Sequence, residues 1–406
     1  MPIAFAIGMR LDPSPVWTCP FCPLLCDDRP ASATGCALAE AGLQACRWPV
    51  GAACPPARID GQPATLEAAL AAAAQRLARS RQPLIGGWGT DVAGARALTT
   101  LAEATGAFCD AAAGEALSQT LRVQQDRGGY TTTLAEVREH ADLIVMVGRG
   151  VLTRAPRLLE RVLDGRATPP QIVHLDAPGE LPDTLVRLHL LVAGKTPAAA
   201  EALASPALAT LAAQLKAARY AVLVWEPAQL GAHAALCIER LMQLLQRLNQ
   251  TTRAAGLPIG GADGAMTAQY VHAWRTGLPL RSRHGPRGLE HDPLRFGAPR
   301  LLADGAVDLL LWVASFPGLL AGGVPAAAGL PRIVLGLPAL AAQLGDARHT
   351  VFIPVATPGV HADGHLFRVD GAVLMPLHAL QHDGLPGVAA VVDTLTQSLA
   401  PGRAAA

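Results

Sequence analysis

A charge imbalance is what this 406-residue chain most clearly lacks: 33 Lys and Arg stand against 32 Asp and Glu, a net charge of +1. That balance argues against a general nucleic-acid binder or membrane-surface binder, since both need a basic excess. Aromatic residues are scarce, at 4%. Ala, Leu, Gly and Pro are abundant, a composition that fits a folded α/β protein and argues against disorder. The opening MPIAFAIGMRLDPSP has neither a basic leader segment nor a proper apolar one, so no signal peptide is read. Leu309 to Pro331 carries no charge and is long enough to span a bilayer. Pro317, Gly322, Gly323 and Pro325 interrupt it, so it reads better as a strand (DLLLWVA), a loop and a second strand (PRIVLG).

Nucleotide-binding motifs are missing too. Glycine loops GGWG, GRG and GGADG occur, but none is a G-x-G-x-x-G or a P-loop. There is no defensible Ser–His–Asp constellation. What the chain does have is alternation. PLIGGWG, DLIVMVG, QIVHLD and YAVLVWE read as buried strands. ARALTTLAEATG, closed by Gly106, and AEVREHA, APRLLERVLDG and AALCIERLMQLLQRLNQ read as helices between them. Continuous apolar strands between amphipathic helices indicate parallel sheets covered on both faces. A chain of this length holds a large core and two or three domains. After HTVFIPVATPGVHADGHLFRVDGAVLMPL begins, the helical period is lost, and short strands and loops are expected to form a ligand-facing surface.

There are eight cysteines, and half of them crowd the N-terminus: Cys19, Cys22 and Cys26 in TCPFCPLLCDD, then Cys36 in TGC. This is not the even spread of a disulfide framework, so a reducing, cytoplasmic setting is expected. Pro23 would break a helix, so the run reads as a loop turning its thiols toward one point. A cubane iron–sulfur cluster needs four thiolates from such a loop plus one remote cysteine. Zinc also accepts four thiolates, though its knuckles usually repeat C-x2-C twice. A set of small buried thiols is the remaining reading.

Several segments together resemble the B subunit of formylmethanofuran dehydrogenase, a member of the molybdopterin oxidoreductase superfamily. CPFCPLLCDD resembles its cluster loop and TGCALAEAG the segment of its fourth ligand. GLPIGGADGAMTAQYVHAWRTGLPLRSR resembles its glycine-rich centre. EHDPLRFGAPRLLADGAVDLLLWVASF and PGVHADGHLFRVDG continue the match across essentially the whole chain. The resemblance implies a molybdopterin-oxidoreductase-like α/β fold of several interleaved lobes, with the cysteine loop near the surface of the first. We expect a cysteine lobe over 1–60, Rossmann-like lobes over 61–250, a second α/β portion over 251–345 and a strand-rich cap over 346–406. It also implies a [4Fe-4S] cluster on Cys19, Cys22, Cys26 and Cys36, beside a tungsten or molybdenum bis-pterin centre that reduces CO2 to formate. Cys46 and Cys54 lie outside the match and are expected to point elsewhere.

One departure decides the reading. In the family, the metal is held by a cysteine or selenocysteine followed by histidine, a soft donor and a proton carrier. Here Ala111 to Ser118 has neither. Cys109 falls inside the preceding strand, where a buried small hydrophobe is expected. Glu115 is a hard oxygen donor of the wrong class. The resemblance therefore points to the bacterial formyltransferase/hydrolase complex of methylotrophs, in tetrahydromethanopterin- and methanofuran-linked one-carbon metabolism. There, transfer and hydrolysis belong to other subunits. The chain reads as a non-catalytic partner of hydrolase, transferase and a further structural subunit, its tungsten or molybdenum pterin lost. An active pterin-dependent subunit and an iron–sulfur electron-transfer subunit remain the alternatives. Arg281, Arg283, His284, Arg287, Arg295 and Arg300 would neutralise pterin pyrophosphates, or form a solvated or subunit-facing surface. His361, Asp363 and His365 read as polar surface, and Asp27 and Asp28 as capping or turn residues.

Overall fold

The computed structural model describes residues 16–47, 54–112, 114–177, 180–195, 205–325, 328–344 and 347–403. The opening segment read for a leader lies outside these residues. In chain order the elements are α1 (Ala37–Ala45), β1 (Ala57–Ile59), β2 (Gln62–Ala64), α2 (Leu66–Arg79), β3 (Pro83–Gly89), α3 (Val92–Thr105), β4 (Phe108–Ala111), α4 (Gly114–Arg127) and α5 (Leu134–His140). Next come β5 (Leu143–Val147), α6 (Gly150–Arg154), α7 (Leu158–Leu163), β6 (Gln171–Leu175), α8 (Leu181–Ala193), α9 (Pro206–Ala217), β7 (Tyr220–Trp225), α10 (Ala234–Leu248), β8 (Arg253–Pro258) and α11 (Ala265–Thr276). The chain closes with β9 (Ser282–Gly285), β10 (Gly288–His291), α12 (Ala298–Ala303), β11 (Leu309–Ala314), β12 (Arg332–Gly336), α13 (Leu340–Leu344), β13 (Thr350–Pro354), β14 (Gly364–Phe367), β15 (Leu374–Leu377) and α14 (Val388–Arg403).

The sheets explain the alternation. Nine strands pair in the order β10-β9-β4-β3-β11-β12-β13-β1-β2. The middle strands β4, β3, β11, β12 and β13 run parallel. Antiparallel hairpins close both ends. A second, all-parallel sheet has the order β6-β5-β7-β8. The chain starts the large sheet, leaves it to build the small one, and returns, so the two lobes interleave. Strands β3, β5, β7 and β11 are buried along their whole length, as expected for parallel strands covered on both faces. The charge-free stretch opens with β11, and β12 begins just past its end at Arg332; the two strands pair in parallel. Among the described residues no helix is long and apolar enough to cross a membrane.

One element departs from expectation. The C-terminal region does not stay strand-rich: Val388–Arg403 is helical. Val388, Val391, Val392, Leu395 and Leu399 recur at helical spacing and join the core formed with α2 and α3.

The lobes meet where the carboxyl ends of their strands face each other. Each sheet has a switch point there, between β3 and β11 and between β5 and β7, where the chain order reverses and crevices open. Gly264 makes the contact possible. It has φ +82, and a Cβ there would lie 2.2 Å from the Thr90 carbonyl oxygen at the end of β3.

Candidate functional site: a cysteine cavity and an interlobe cleft

The cysteine run is a loop. Trp17 bridges to Arg29, and the Cys19 N–H donates to the Cys26 carbonyl at 2.8 Å, so the chain doubles back around Pro20 and Pro23. Cys36 stands at the N-cap of α1. Phe21 packs over Gly42 of α1, where a Cβ would come within 2.5 Å of the ring. Cys19, Cys22, Cys26 and Cys36 line a single cavity of about 20 Å³, together with Trp17 and Arg157. Cys46 and Cys54 do not line it. The Cys46 thiol lies 3.7 Å from the Thr357 hydroxyl, and the Cys54 thiol lies 3.7 Å from the Pro55 carbonyl.

The loop sits just beneath the surface: Cys19 and Cys36 are half-buried, and Asp27, Asp28 and Arg29, directly after Cys26, are exposed. Cys22 and Cys26 are buried with Leu24 against α5, α7 and the small sheet. Leu25 packs with Phe316 and the β14–β15 hairpin. The Trp17 indole N–H donates to the Gly359 carbonyl at 2.7 Å, and the Val369 N–H donates to the Pro23 carbonyl at 2.8 Å. The loop thus wedges between the small lobe and the C-terminal segments, which hold it with apolar side chains on three sides.

Burial pushes the Cys19 thiol up to about 12. Cys22 is raised because it donates to Cys26 and is buried. Cys26 is lowered, because it accepts from Cys22 and lies near the Arg157 and Arg161 guanidiniums, which together outweigh its burial. Among the described residues no group of three or more His, Cys, Asp or Glu side chains is placed so that it could hold a metal ion. The donor set nevertheless has four-thiolate chemistry. Taking up a centre requires Cys22 and Cys26 to part and the thiols to lose their protons.

Asp27 and Asp28 are neither caps nor turn residues; they are ion-paired. The Arg157 guanidinium donates to Asp28 Oδ1 at 3.0 Å and Oδ2 at 2.5 Å, and to Glu160 at 2.6 and 2.8 Å. Arg161 reaches Asp27 at 2.9 Å and Asp28 at 3.0 Å, and Arg29 reaches Glu160 at 2.9 Å. The Arg157 hydrogen bond, with Arg29 beside it, holds Glu160 down at about 2. Sequence reading missed this cluster. Its signal was present, since Arg157, Glu160 and Arg161 fall at helical spacing on one face and two aspartates follow Cys26.

The second feature is the cleft between the lobes. It comprises cavities of about 770 and 620 Å³ that share Ala116, Arg154, Pro227 and Ala228. The larger is lined by the residues after β5, β7 and β8, with Val369 and Asp370 from the segment expected to face a ligand. GRG and GGADG both contribute glycines to it. The smaller is lined by Ala111, Ala112, Gly114, Glu115 and Ala116, the segment where the family carries its metal ligand. Only methyl groups, backbone and one carboxylate face the cavity there. That carboxylate is engaged: Glu115 pairs with Arg281 at 2.9 Å. Cys109 turns away into the core beneath α3 and is fully buried, which pushes its thiol up.

The basic stretch does not form a cationic cradle. Arg281 alone of its members lines these cavities, and it is held by Asp110 at 3.3 Å as well as by Glu115. Arg283 and Arg287 pair with Glu290, and Arg300 with Asp304. Acids in the cleft shift upward. Burial pushes Asp110 up to about 6, and it also raises Glu226 and Asp263. Glu226 Oε2 is buried without a hydrogen-bond partner. Arg154 and Arg149 also line the cleft, Arg154 paired with Asp263 at 3.4 Å and Arg149 with Asp176. Among the described lining residues a bis-pterin centre finds no soft anchor, and each of the three arginines is already engaged by a carboxylate, so these residues do not fit it. His361 corrects another expectation. It is buried, its Nδ1 accepting the Thr357 N–H at 3.1 Å and its Nε2 lying 3.0 Å from the Cys46 carbonyl. It braces the fold, whereas His365 is exposed on β14.

No protein-family model matches the chain. The B subunit of the formyltransferase/hydrolase complex Fhc of Methylorubrum extorquens is 33% identical over 276 residues, spanning 64% of this chain and 74% of that protein. The chain belongs to the family of Fhc B subunits. The B subunit of tungsten-containing formylmethanofuran dehydrogenase 2 of Methanocaldococcus jannaschii is 26% identical over 404 residues, 87% of this chain and 90% of its own length. A chain in the crystal structure of the M. extorquens FhcABCD complex with methylofuran superposes with a TM-score of 0.71. It is 28% identical and covers 85% of this chain and 99% of its own. The α/β architecture of parallel sheets is thus shared with the Fhc complex.

Proposed function

We propose that this chain is the B subunit of a formyltransferase/hydrolase complex, acting in one-carbon metabolism as an architectural part without redox chemistry of its own. The observation that carries this is the cleft wall of Ala111, Ala112, Gly114, Glu115 and Ala116. The chain matches its relatives in fold and order, yet the cleft presents no thiolate and no imidazole where a metal needs them. Transfer and hydrolysis then lie in partner subunits, and this chain contributes the surface on which they assemble. The donor set supports the reading that the metal–pterin centre has been lost. The alternative of an active pterin-dependent oxidoreductase lacks both its anchor and its proton carrier.

Cys19, Cys22, Cys26 and Cys36 are the residues that would hold a [4Fe-4S] cluster. Such a cluster supplies one-electron transfer when bound. That all four line one cavity supports a retained four-thiolate site on this reading.

Assembly tests the subunit assignment. Expressed together with hydrolase, transferase and the further structural subunit, the tagged chain is expected to retain them at fixed stoichiometry through size exclusion. A chain that elutes alone would overturn the assignment.

A further inference from the structure

We propose that Arg157 is the positioning residue of the cysteine site. Clamped by Asp28 and Glu160, it holds the loop around the four thiols whether or not a centre is bound, and it balances their negative charge when they are thiolates. The inference rests on the four-thiolate reading of the loop, and deepens it.

Arg157 bridges two parts of the chain. It starts α7 in the small lobe, while Asp28 lies two residues beyond Cys26. Its side chain is 6% exposed and lines the thiol cavity. Four hydrogen bonds tie it to Asp28 and Glu160. They leave one Nη1 hydrogen without a carboxylate partner, on a guanidinium that borders the thiols. The fork geometry matters, because both carboxylates are gripped by adjacent nitrogens, which lysine's single ammonium cannot do. Arg29, Arg157 and Arg161 offset Asp27, Asp28 and Glu160, so the cluster is neutral overall. Arg157 is its most buried cation and lines the cavity together with the more exposed Arg29. Trp17 on Gly359 and Val369 on Pro23 anchor the start and middle of the loop, while on the Cys26 side the more exposed Arg161, on Asp27 and Asp28, stands beside the Arg157 clamp.

The complex purified anaerobically is examined as wild type, Arg157→Met and Arg157→Lys. In metal-free protein, amide hydrogen exchange over residues 17–30 is expected to quicken at least tenfold in Arg157→Met, with the β5–β8 amides unchanged. After reconstitution with iron and sulfide, the wild type is expected to develop cluster absorbance, with Arg157→Met recovering several-fold less. The cluster that does form should have a lower midpoint potential, because a nearby cation favours the reduced form; a purely structural role would not shift it. Arg157→Lys should restore the potential, which needs charge, but not the exchange protection, which needs the fork. Unchanged exchange and potential in Arg157→Met would overturn the inference. Failure of the wild type to reconstitute would instead overturn the four-thiolate reading, with loop exchange still deciding whether Arg157 clamps.

Discussion

Two carboxylates set opposite pH trends. Glu160 sits at about 2, below an ordinary glutamate, because Arg157 holds its charged form. Its contribution is therefore present above the usual glutamate range and lost as pH falls through about 2. Asp110 sits at about 6, because burial favours its neutral form. Its contribution is full below the usual aspartate range and declines as pH rises through about 6. Thermal melts across pH should show both trends. Glu160→Gln is expected to flatten the acid side and Asp110→Asn the side leading up to pH 6. Arg281 offers a sharper case. With side-chain exposures of 4% and 1% for Arg281 and Asp110, Arg281→Met leaves a buried carboxyl without its cation. It should cost about 3 kcal/mol in chemical denaturation. An unchanged midpoint would show that Asp110 is held neutral and needs no partner.

The strands were legible because parallel strands buried on both faces leave unbroken apolar runs, as in PLIGGWG and YAVLVWE. The α14 helix was not, because proline and glycine punctuation upstream masked a pattern that starts only at Val388. Its fully buried Leu395 faces the α2–α3 layer. Leu395→Ala is expected to destabilise the large lobe by about 2 to 5 kcal/mol, read as a lower melting temperature. No change would mean that α14 packs only loosely. The cysteine loop was legible in spacing but not in packing. Spacing says nothing of the Phe316 and Val369 side chains that arrive from far along the chain to cover it. Arg157 was missed for the same reason, since its partner Asp28 lies 129 residues away.

At the scale of the molecule, on the proposed reading the chain shares the frame of its tungsten-containing relative without that relative's redox chemistry. Both sheets still aim their carboxyl ends at a cleft with cavities of about 770 and 620 Å³. The wall of Ala111, Ala112, Gly114, Glu115 and Ala116 is nonetheless apolar except for Glu115, and Arg281 beside it is spent on carboxylates. The most direct measurement is elemental analysis of the intact purified complex, paired with formate-dependent reduction of a viologen dye. The account predicts no stoichiometric tungsten or molybdenum and no dye reduction. Stoichiometric metal together with dye reduction would contradict it and restore an active oxidoreductase.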